Sequence, residues 1–419
     1  MKTIRGTKDI LPHEITSWQS IYKTAYKILD LNNYKEIRTP VIENTKLFER
    51  SIGNLTDIVN KEMYSFNDQG NRSITLRPEG TASIARSVIS NKLYINQPIN
   101  RLWYMGPMFR YERPQQGRQR QFHQLGIECI GSNMPIADVE VIKIAIEILT
   151  KLQCEKEYEL EINSIGNQEE RKKYCQDLIE YLKKYENDLD EDSKKRIYKN
   201  PLRILDSKNL NTQEILQSSP ILKNYLQKNS KKHFESICDH LSYLKIKYKI
   251  NNYLVRGLDY YNHTAFEIKT KTSKQQNTIC GGGRYDTLFE QIGGPHIPAV
   301  GWAIGIERLL LLKEKNFSHT DTIYIAIQSI DNNNHMIWKI IDLLKEYKIK
   351  FELDISNYSL KKQIKKAYQL NIKICFILGE NEMNDNFITV KWLQTGIQQQ
   401  IKILDLRKYI KYLQKQLQS

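Results

Sequence analysis

The stretch LVRGLDYYNHTAFEI, residues 254–268, places Arg256, Asp259, Tyr260 and Tyr261 at a turn entering a strand. A core strand would exclude so many polar groups, and a surface loop would not carry Leu254, Val255, Phe266 and Ile268. The pattern therefore predicts polar side chains lined up on a rigid element and aimed at a ligand. A second stretch, YMGPMFRYERPQQGRQRQFHQLGIE at 104–128, reads as two strands around an arginine-rich loop. Arg110 closes the first strand, and Arg113, Arg118 and Arg120 follow in the loop. Phe122, Gln124 and Glu128 share one face of the second strand by period two. Guanidinium forks grip phosphates and an aromatic ring stacks on a base, so this hairpin suits a nucleotide. A charged, solvated hairpin is the plainer alternative.

Three further stretches carry weaker signals. In TLRPEGTAS, 75–83, a strand ends, Pro78 and Gly80 turn the chain, and a helix begins. Glu79 and Thr81 sit at that junction, as functional groups or simply as a helix cap. In TICGGGRYDTLFEQIGG, 278–294, three glycines would let backbone approach a ligand closely, with Arg284 and Tyr285 following. No phosphate-binding G-x-x-x-x-G-K-[ST] loop is present there. In GWAIGIERLLLL, 301–312, Arg308 heads an apolar helix that could equally be a capped core element.

The elements that must position these groups follow from periodicity. Ile15, Trp18, Tyr22, Ala25 and Leu29 recur at helical steps. A strand, YKEIRTP, stops at Pro40, and short β-type runs follow at EMYSF, RSITL, 101–112, 121–131 and YELEIN, with helical patterns near 80–92 and 136–152. Short connections favour antiparallel pairing, so residues 1–320 read as an α+β body with an antiparallel sheet flanked by helices. A Lys-, Glu- and Asn-rich helical insertion interrupts it at about 167–250. From Asp321 to residue 419 strands and helices alternate in a smaller α/β domain. There SLKKQIKKAYQL sets Lys361 and Lys365 one helical turn apart, as a binding face or a solvated one.

Composition bounds the class. The chain has 419 residues and a net charge of +15, which favours an anionic partner, nucleic acid first. Skewed residue usage rich in Lys, Asn and Ile would give the same excess. Six cysteines form no C-x-x-C pair, which fits free thiols and a cytoplasmic protein better than a disulfide framework or a zinc site. No signal-type N-terminus and no apolar run long enough for a membrane span are expected to operate here.

Taken together, these stretches resemble the histidyl-tRNA synthetase family of class II aminoacyl-tRNA synthetases. FRYERPQQGRQRQFHQ resembles class II motif 2 in its histidyl form, GWAIGIERLLLL resembles motif 3, and the first helix with YKEIRTPVIE resembles motif 1. LVRGLDYYNHTAFE and GGGRYDTL resemble the two histidine-specific signatures. The resemblance runs from RGTKDILP into the C-terminal domain. It implies a class II sheet, a helical insertion that clamps the acceptor arm, and a C-terminal anticodon-binding domain.

The implied reaction joins L-histidine to tRNA(His) through histidyl-adenylate, with ATP as substrate, Mg²⁺ on its phosphates and a homodimer as the working form. Arg110 is implied on the α-phosphate and the histidine carboxylate, Arg308 and Arg118 at the γ-phosphate end, and Phe122 on adenine. Arg256 is implied near the α-phosphate, where other class II enzymes place a metal ion. Glu79, Thr81 and Gln124 would take the substrate ammonium; Glu128, Tyr260, Tyr261 and Tyr285 would line the imidazole pocket. Arg113, Lys361 and Lys365 would face tRNA. Cys280, Thr287 and Trp302 depart from the commoner signature residues without touching an implied contact. A non-catalytic, histidine-sensing paralogue from histidine biosynthesis is the rival, but such proteins usually lose some of these arginines and the C-terminal domain.

Overall fold

The computed structural model describes residues 1–53, 56–115, 117–154, 158–270, 278–312, 322–328, 335–356 and 358–418. Two compact units divide the chain, Met1–Glu314 and Lys315–Ser419. The boundary read from sequence near Asp321 lies outside the described residues.

In the first unit the strands are β1 (Lys35–Glu36), β2 (Ile42–Asn44), β3 (Tyr64–Asn67), β4 (Ser73–Leu76), β5 (Asn100–Phe109), β6 (Gln121–Ile130), β7 (Tyr158–Ser164), β8 (Lys249–Ile250), β9 (Asn262–Thr270), β10 (Thr278–Arg284) and β11 (Ala299–Gly305). Eight of them form one sheet in the order β1-β5-β6-β11-β10-β9-β7-β8. Its pairings are antiparallel except at the two edges, where β1 runs parallel to β5 and β8 parallel to β7. β2, β4 and β3 make a separate antiparallel ribbon.

Period two divides the sheet into two chemical faces. Leu125, Ile127 and Cys129 of β6 bury with Phe266, Trp302 and the helices Pro12–Leu31 and Pro135–Lys151. Removing such side chains from water stabilises by about 1.5–3 kcal/mol each. Trp302, a departure from the commoner signature residue, donates its indole N–H to the Val141 carbonyl at 2.7 Å and ties β11 to the second helix. The opposite face presents Tyr104, Tyr260, Tyr261 and Tyr285 toward the helix Thr81–Ser90 and the insertion.

Several expectations shift. The first helix buries Trp18, Ala25 and Leu29 as its spacing predicts, adds Ile21 and Ile28 to that side, and leaves Ile15 exposed. The strand expected to run to Pro40 pairs with β5 only at Lys35 and Glu36. Beyond it the Thr39 carbonyl accepts from the Arg77 guanidinium at 2.9 Å, which draws the chain off the sheet edge toward β2. Arg110 lies one residue past β5, its N–H bonded to the Arg120 carbonyl at 2.9 Å. The three-glycine run is a central strand, and its glycines make room for protein groups: Gly281 for the Arg256 guanidinium, Gly282 for the neighbouring strand.

The helical insertion is no separate module in its packing. Tyr174, Leu178 and Leu182 of helix Gln168–Lys183 share a core with Val255, Tyr260 and Ala265. Its last helix, Lys228–Tyr243, buries Phe234, Ile237 and Leu241 in the core on the other face. That amphipathic stripe is hidden by charged neighbours in the sequence.

The second unit holds β12 (Thr322–Ile327), β13 (Lys350–Leu353), β14 (Ile374–Leu378), β15 (Phe387–Trp392) and β16 (Gln398–Lys402), ordered β13-β12-β14-β15-β16. β12 pairs parallel with β13 and β14; β15 and β16 add on antiparallel. The glutamine-rich β16 has no apolar alternation to mark it in the sequence; it is built by the ladder with β15.

Arg284 and Asp138 form a fully buried ion pair, with His233 Nε2 at 3.3 Å from the same carboxylate. Burial alone would raise the Asp138 carboxyl, but Arg284 and His233 outweigh it and hold the group at about 2. The depressed value stabilises the fold above the ordinary carboxylate range, and that share is lost as pH falls toward about 2. Arg284→Met strands a buried carboxylate, and we expect a loss of about 3–5 kcal/mol. Urea denaturation near neutral pH checks it; an unchanged midpoint contradicts the role given to this pair.

Candidate active site

The sheet face that carries the even-numbered residues of β6 opens into a cavity of about 450 Å³, within the size range of small-molecule sites. Glu79, Thr81, Gln124, Tyr260 and Tyr261 line it together with Arg110, Arg118, Phe122, Arg256 and Arg308. These residues come from a turn, a hairpin, the 256–261 loop and the helix Ile306–Leu312, and only the sheet brings them together.

At one end are carboxyl, amide and phenol groups. Pro78 and Gly80 bend the chain so that the Glu79 carboxylate accepts from the first N–H groups of the following helix, Thr81 at 2.6 Å and Ala82 at 2.8 Å. Glu79 therefore caps the helix while still facing the cavity. Burial raises its carboxyl, and those bonds and Arg110 pull against that rise. The Gln124 carbonyl oxygen is buried with no hydrogen-bond partner among the described residues, an acceptor facing the cavity. Such an unmet acceptor suits a donor on a ligand.

Glu128 and Tyr285 lie one layer behind the cavity wall. The Thr81 hydroxyl donates to Glu128 Oε1 at 2.7 Å, and the Tyr285 hydroxyl donates to Oε2. The Glu128 carboxylate lies where a side chain at Gly301 would stand, which is why β11 needs glycine there. Burial pushes the Glu128 carboxyl up to about 8, against the lowering by Tyr285 and Thr81. Tyr260 stacks at an angle on Tyr261 and meets Tyr285 edge-on, making an aromatic wall.

The other end is cationic. Arg110 donates to the Pro78 carbonyl at 2.9 Å and lies over the Phe122 ring, 5.3 Å from its centroid. The ring expected to stack on a base thus already shares one face with a guanidinium. Arg118 pairs with Glu112. Arg256 pairs with Glu267 and is buried over Gly281. Arg308 donates to the Thr278 carbonyl at 2.7 Å. Burial lowers the Arg308 guanidinium, and the like charges of Arg118 and Arg110 lower it further. Cations crowded in a partly dry cavity are an electrostatic demand for an anion.

Arg113 stands exposed on the hairpin, outside the cavity. Lys361 and Lys365 lie exposed on helix Leu360–Gln369 of the second unit, while Lys366 pairs with Glu352 at 3.4 Å. The charged residues Asp57, Glu62, Glu112, Arg203 and Glu307 also line the cavity, and none of them is among the site residues read from sequence. Glu112 and Glu307 were visible in RYER and GIER; Glu307 accepts from the His123 N–H at 2.9 Å. Arg203 sits in the charge-rich insertion and had no local signal. Among the described residues no cluster of three or more His, Cys, Asp or Glu could hold a metal ion.

Comparison with known proteins fits this arrangement. The family model for histidyl-tRNA synthetase matches residues 6–309, and an anticodon-binding-domain model matches 322–413. The chain belongs to the histidyl-tRNA synthetase family. It is similar to the chloroplastic histidine--tRNA ligase of Gracilaria tenuistipitata var. liui, 62% identical over 95% of each chain. A histidine--tRNA ligase of Cyanothece sp. (strain PCC 7425 / ATCC 29141) is 50% identical over 96% of this chain and 94% of its own. Among solved structures, apo histidyl-tRNA synthetase of S. aureus superposes with a TM-score of 0.79 at 36% identity, covering 98% of this chain and 100% of that one. In this member of the family the α+β class read from sequence stands, with the antiparallel sheet as its frame.

The buried Glu128 has a consequence for stability. Its raised carboxyl means that the native chain keeps a proton that the unfolded chain gives up above about 4.5. Stability must therefore fall as pH rises from about 4.5 through about 8. Glu128→Gln removes that dependence. We expect the variant to gain on the parent between about pH 5 and about pH 9, by up to a few kcal/mol. Urea midpoints at both values check it, and parallel trends in the two chains contradict it.

Proposed function

We propose that this chain activates L-histidine with ATP, giving histidyl-adenylate and pyrophosphate, and then transfers histidine to the 3′ end of tRNA(His) with release of AMP. One observation carries the reading: a single cavity holds hydrogen-bonding groups suited to an amino acid at one end and, at the other, guanidinium groups that include Arg110, Arg118, Arg256 and Arg308. Family membership agrees with it.

In the first step a histidine carboxylate oxygen bonds to the α-phosphorus while the bond to the pyrophosphate oxygen breaks. Two anions must approach, and negative charge builds on the phosphoryl oxygens. Fixed cations lower that barrier because they need no reorganisation when the charge develops. Arg110 and Arg256 are the groups we assign to the α-phosphate and carboxylate, and Arg118 and Arg308 to the distal phosphates. Phe122 is assigned to adenine, on the ring face away from Arg110. Glu79, Thr81 and Gln124 take the ammonium. Tyr260 and Tyr261 wall the imidazole, with Glu128 and Tyr285 behind them. A pocket that hydrogen-bonds its substrate rejects analogues lacking those groups by roughly 10⁴-fold, because buried polar groups are left unmet.

Mg²⁺ enters this reading as the ion carried on ATP, where it neutralises phosphate charge. Glu62 and Glu112 suit it: burial and the neighbouring Glu112 raise the Glu62 carboxyl, and both residues line the cavity. Arg113 is assigned to the acceptor end of tRNA and Lys361 and Lys365 to its anticodon side. Exposed Ile15, Ile42 and Phe66 support a homodimer that covers apolar surface. No helix among the described residues is long and apolar enough to cross a membrane. The cytoplasm was the expected compartment. The name of the Gracilaria relative places that protein in a chloroplast, and we propose an aqueous, thiol-reducing compartment with its own tRNA supply, which the plastid interior fits as well as the cytoplasm.

ATP–pyrophosphate exchange tested with each of the twenty amino acids should proceed with histidine alone. Histidine binding without exchange would move the chain to the regulatory reading. Glu128→Ala should raise the KM for histidine at least about tenfold more than that for ATP; equal losses contradict the assignment. Binding of tRNA should weaken steeply with salt, and Lys361→Ala with Lys365→Ala should flatten that slope by about two. A slope unchanged by the pair of substitutions removes these lysines from the interface.

A further inference from the structure

Behind the 256–261 loop lies a second cavity of about 370 Å³, between that loop and the helical insertion. Arg171, Lys172, Lys199 and Arg203 line it from the insertion, and Arg256 and Asp259 from the loop. Arg256 is committed to Glu267. Asp259 Oδ1 accepts from the Asn200 amide at 3.1 Å. Four insertion cations thus face one carboxylate.

Two of those cations are removed from bulk water. Arg171 donates to the Tyr261 carbonyl at 2.6 Å and Arg203 to the Gly257 carbonyl at 2.9 Å. Neither makes an ion pair among the described residues, so most of their N–H donors are uncommitted to any carboxylate. Burial lowers both guanidinium groups below the usual arginine range. A half-buried guanidinium without a carboxylate costs free energy that a bound anion recovers. Phosphate is the anion that matches two planar forks with ammonium groups beside them. Lys172 and Lys199 are exposed and guard the cavity from the solvent side.

We propose that this cavity, which shares Arg203 and Arg256 with the wall of the catalytic cavity, is a phosphate-binding site of its own that takes either a free phosphate or a phosphate of the tRNA chain. The site stands on its own geometry; only the tRNA source rests on the ligase reading. The test uses the full chain with histidine and a non-hydrolysable ATP analogue saturating the first cavity. Inorganic phosphate is then titrated by calorimetry into the parent and into Lys172→Glu/Lys199→Glu. The parent should bind phosphate, and the variant should bind it roughly tenfold or more weakly. No binding in the parent, or equal affinity in both, overturns the site.

Aminoacylation separates the two sources. A raised KM for tRNA in the variant, with histidine-dependent pyrophosphate exchange unchanged, assigns the phosphate to tRNA. An unchanged KM beside weakened phosphate binding assigns it to free phosphate. Failure of pyrophosphate exchange in the parent would fall on the ligase reading and leave the phosphate titration standing.

Discussion

Arg110, Arg118, Arg256 and Arg308 line one cavity, and like charges repel most where water is thinnest. The strain is visible at Arg308, whose guanidinium is lowered by burial and then by Arg118 and Arg110. The fold answers by anchoring each cation separately. Arg110 is held by the Pro78 carbonyl, Arg118 by Glu112, Arg256 by Glu267 and Arg308 by the Thr278 carbonyl. Those anchors sit on a turn, a hairpin, β9 and β10. The antiparallel sheet, in which β9 and β10 are neighbours, fixes where the Glu267 and Thr278 anchors stand.

The same constraint separates the two ends of the cavity. Glu79 faces the helix it caps and Glu128 is withdrawn behind Thr81 and Tyr285. Withdrawal costs solvation, and the Glu128 carboxyl rises to about 8 in response. A carboxyl held in that range can give up its proton when a partner arrives, whereas one at the surface would already be ionised and hydrated. Glycine at 281 and 301 makes this layering possible, because Arg256 and Glu128 occupy the space a side chain would need.

The insertion belongs to the same physical unit as the sheet. Its first helices complete the core on the cavity face, and Lys228–Tyr243 completes the core on the other. Arg171 and Arg203 hold the carbonyls of Tyr261 and Gly257. A segment that reads as a charged excursion thus fixes the loop that carries Arg256. Arg203 itself reaches the catalytic cavity, a contact that no local pattern announces.

Much of the cavity was legible because its signals are local. Period two in 121–130 set Phe122, Gln124 and Glu128 on one face, and proline and glycine at 78 and 80 marked the turn at Glu79. Residue type, strand phase and the position of each turn were therefore determined by the sequence alone. What each polar group bonds to was decided only in three dimensions. Thr81 and Glu128 are 47 residues apart, Arg203 and Gly257 are 54 apart, and Arg284 and Asp138 are 146 apart. β1 stopped short because Arg77 took the Thr39 carbonyl, and β16 formed because β15 offered it a ladder. Periodicity and turn chemistry act over a few residues, whereas burial and pairing depend on which distant segments the sheet order brings together.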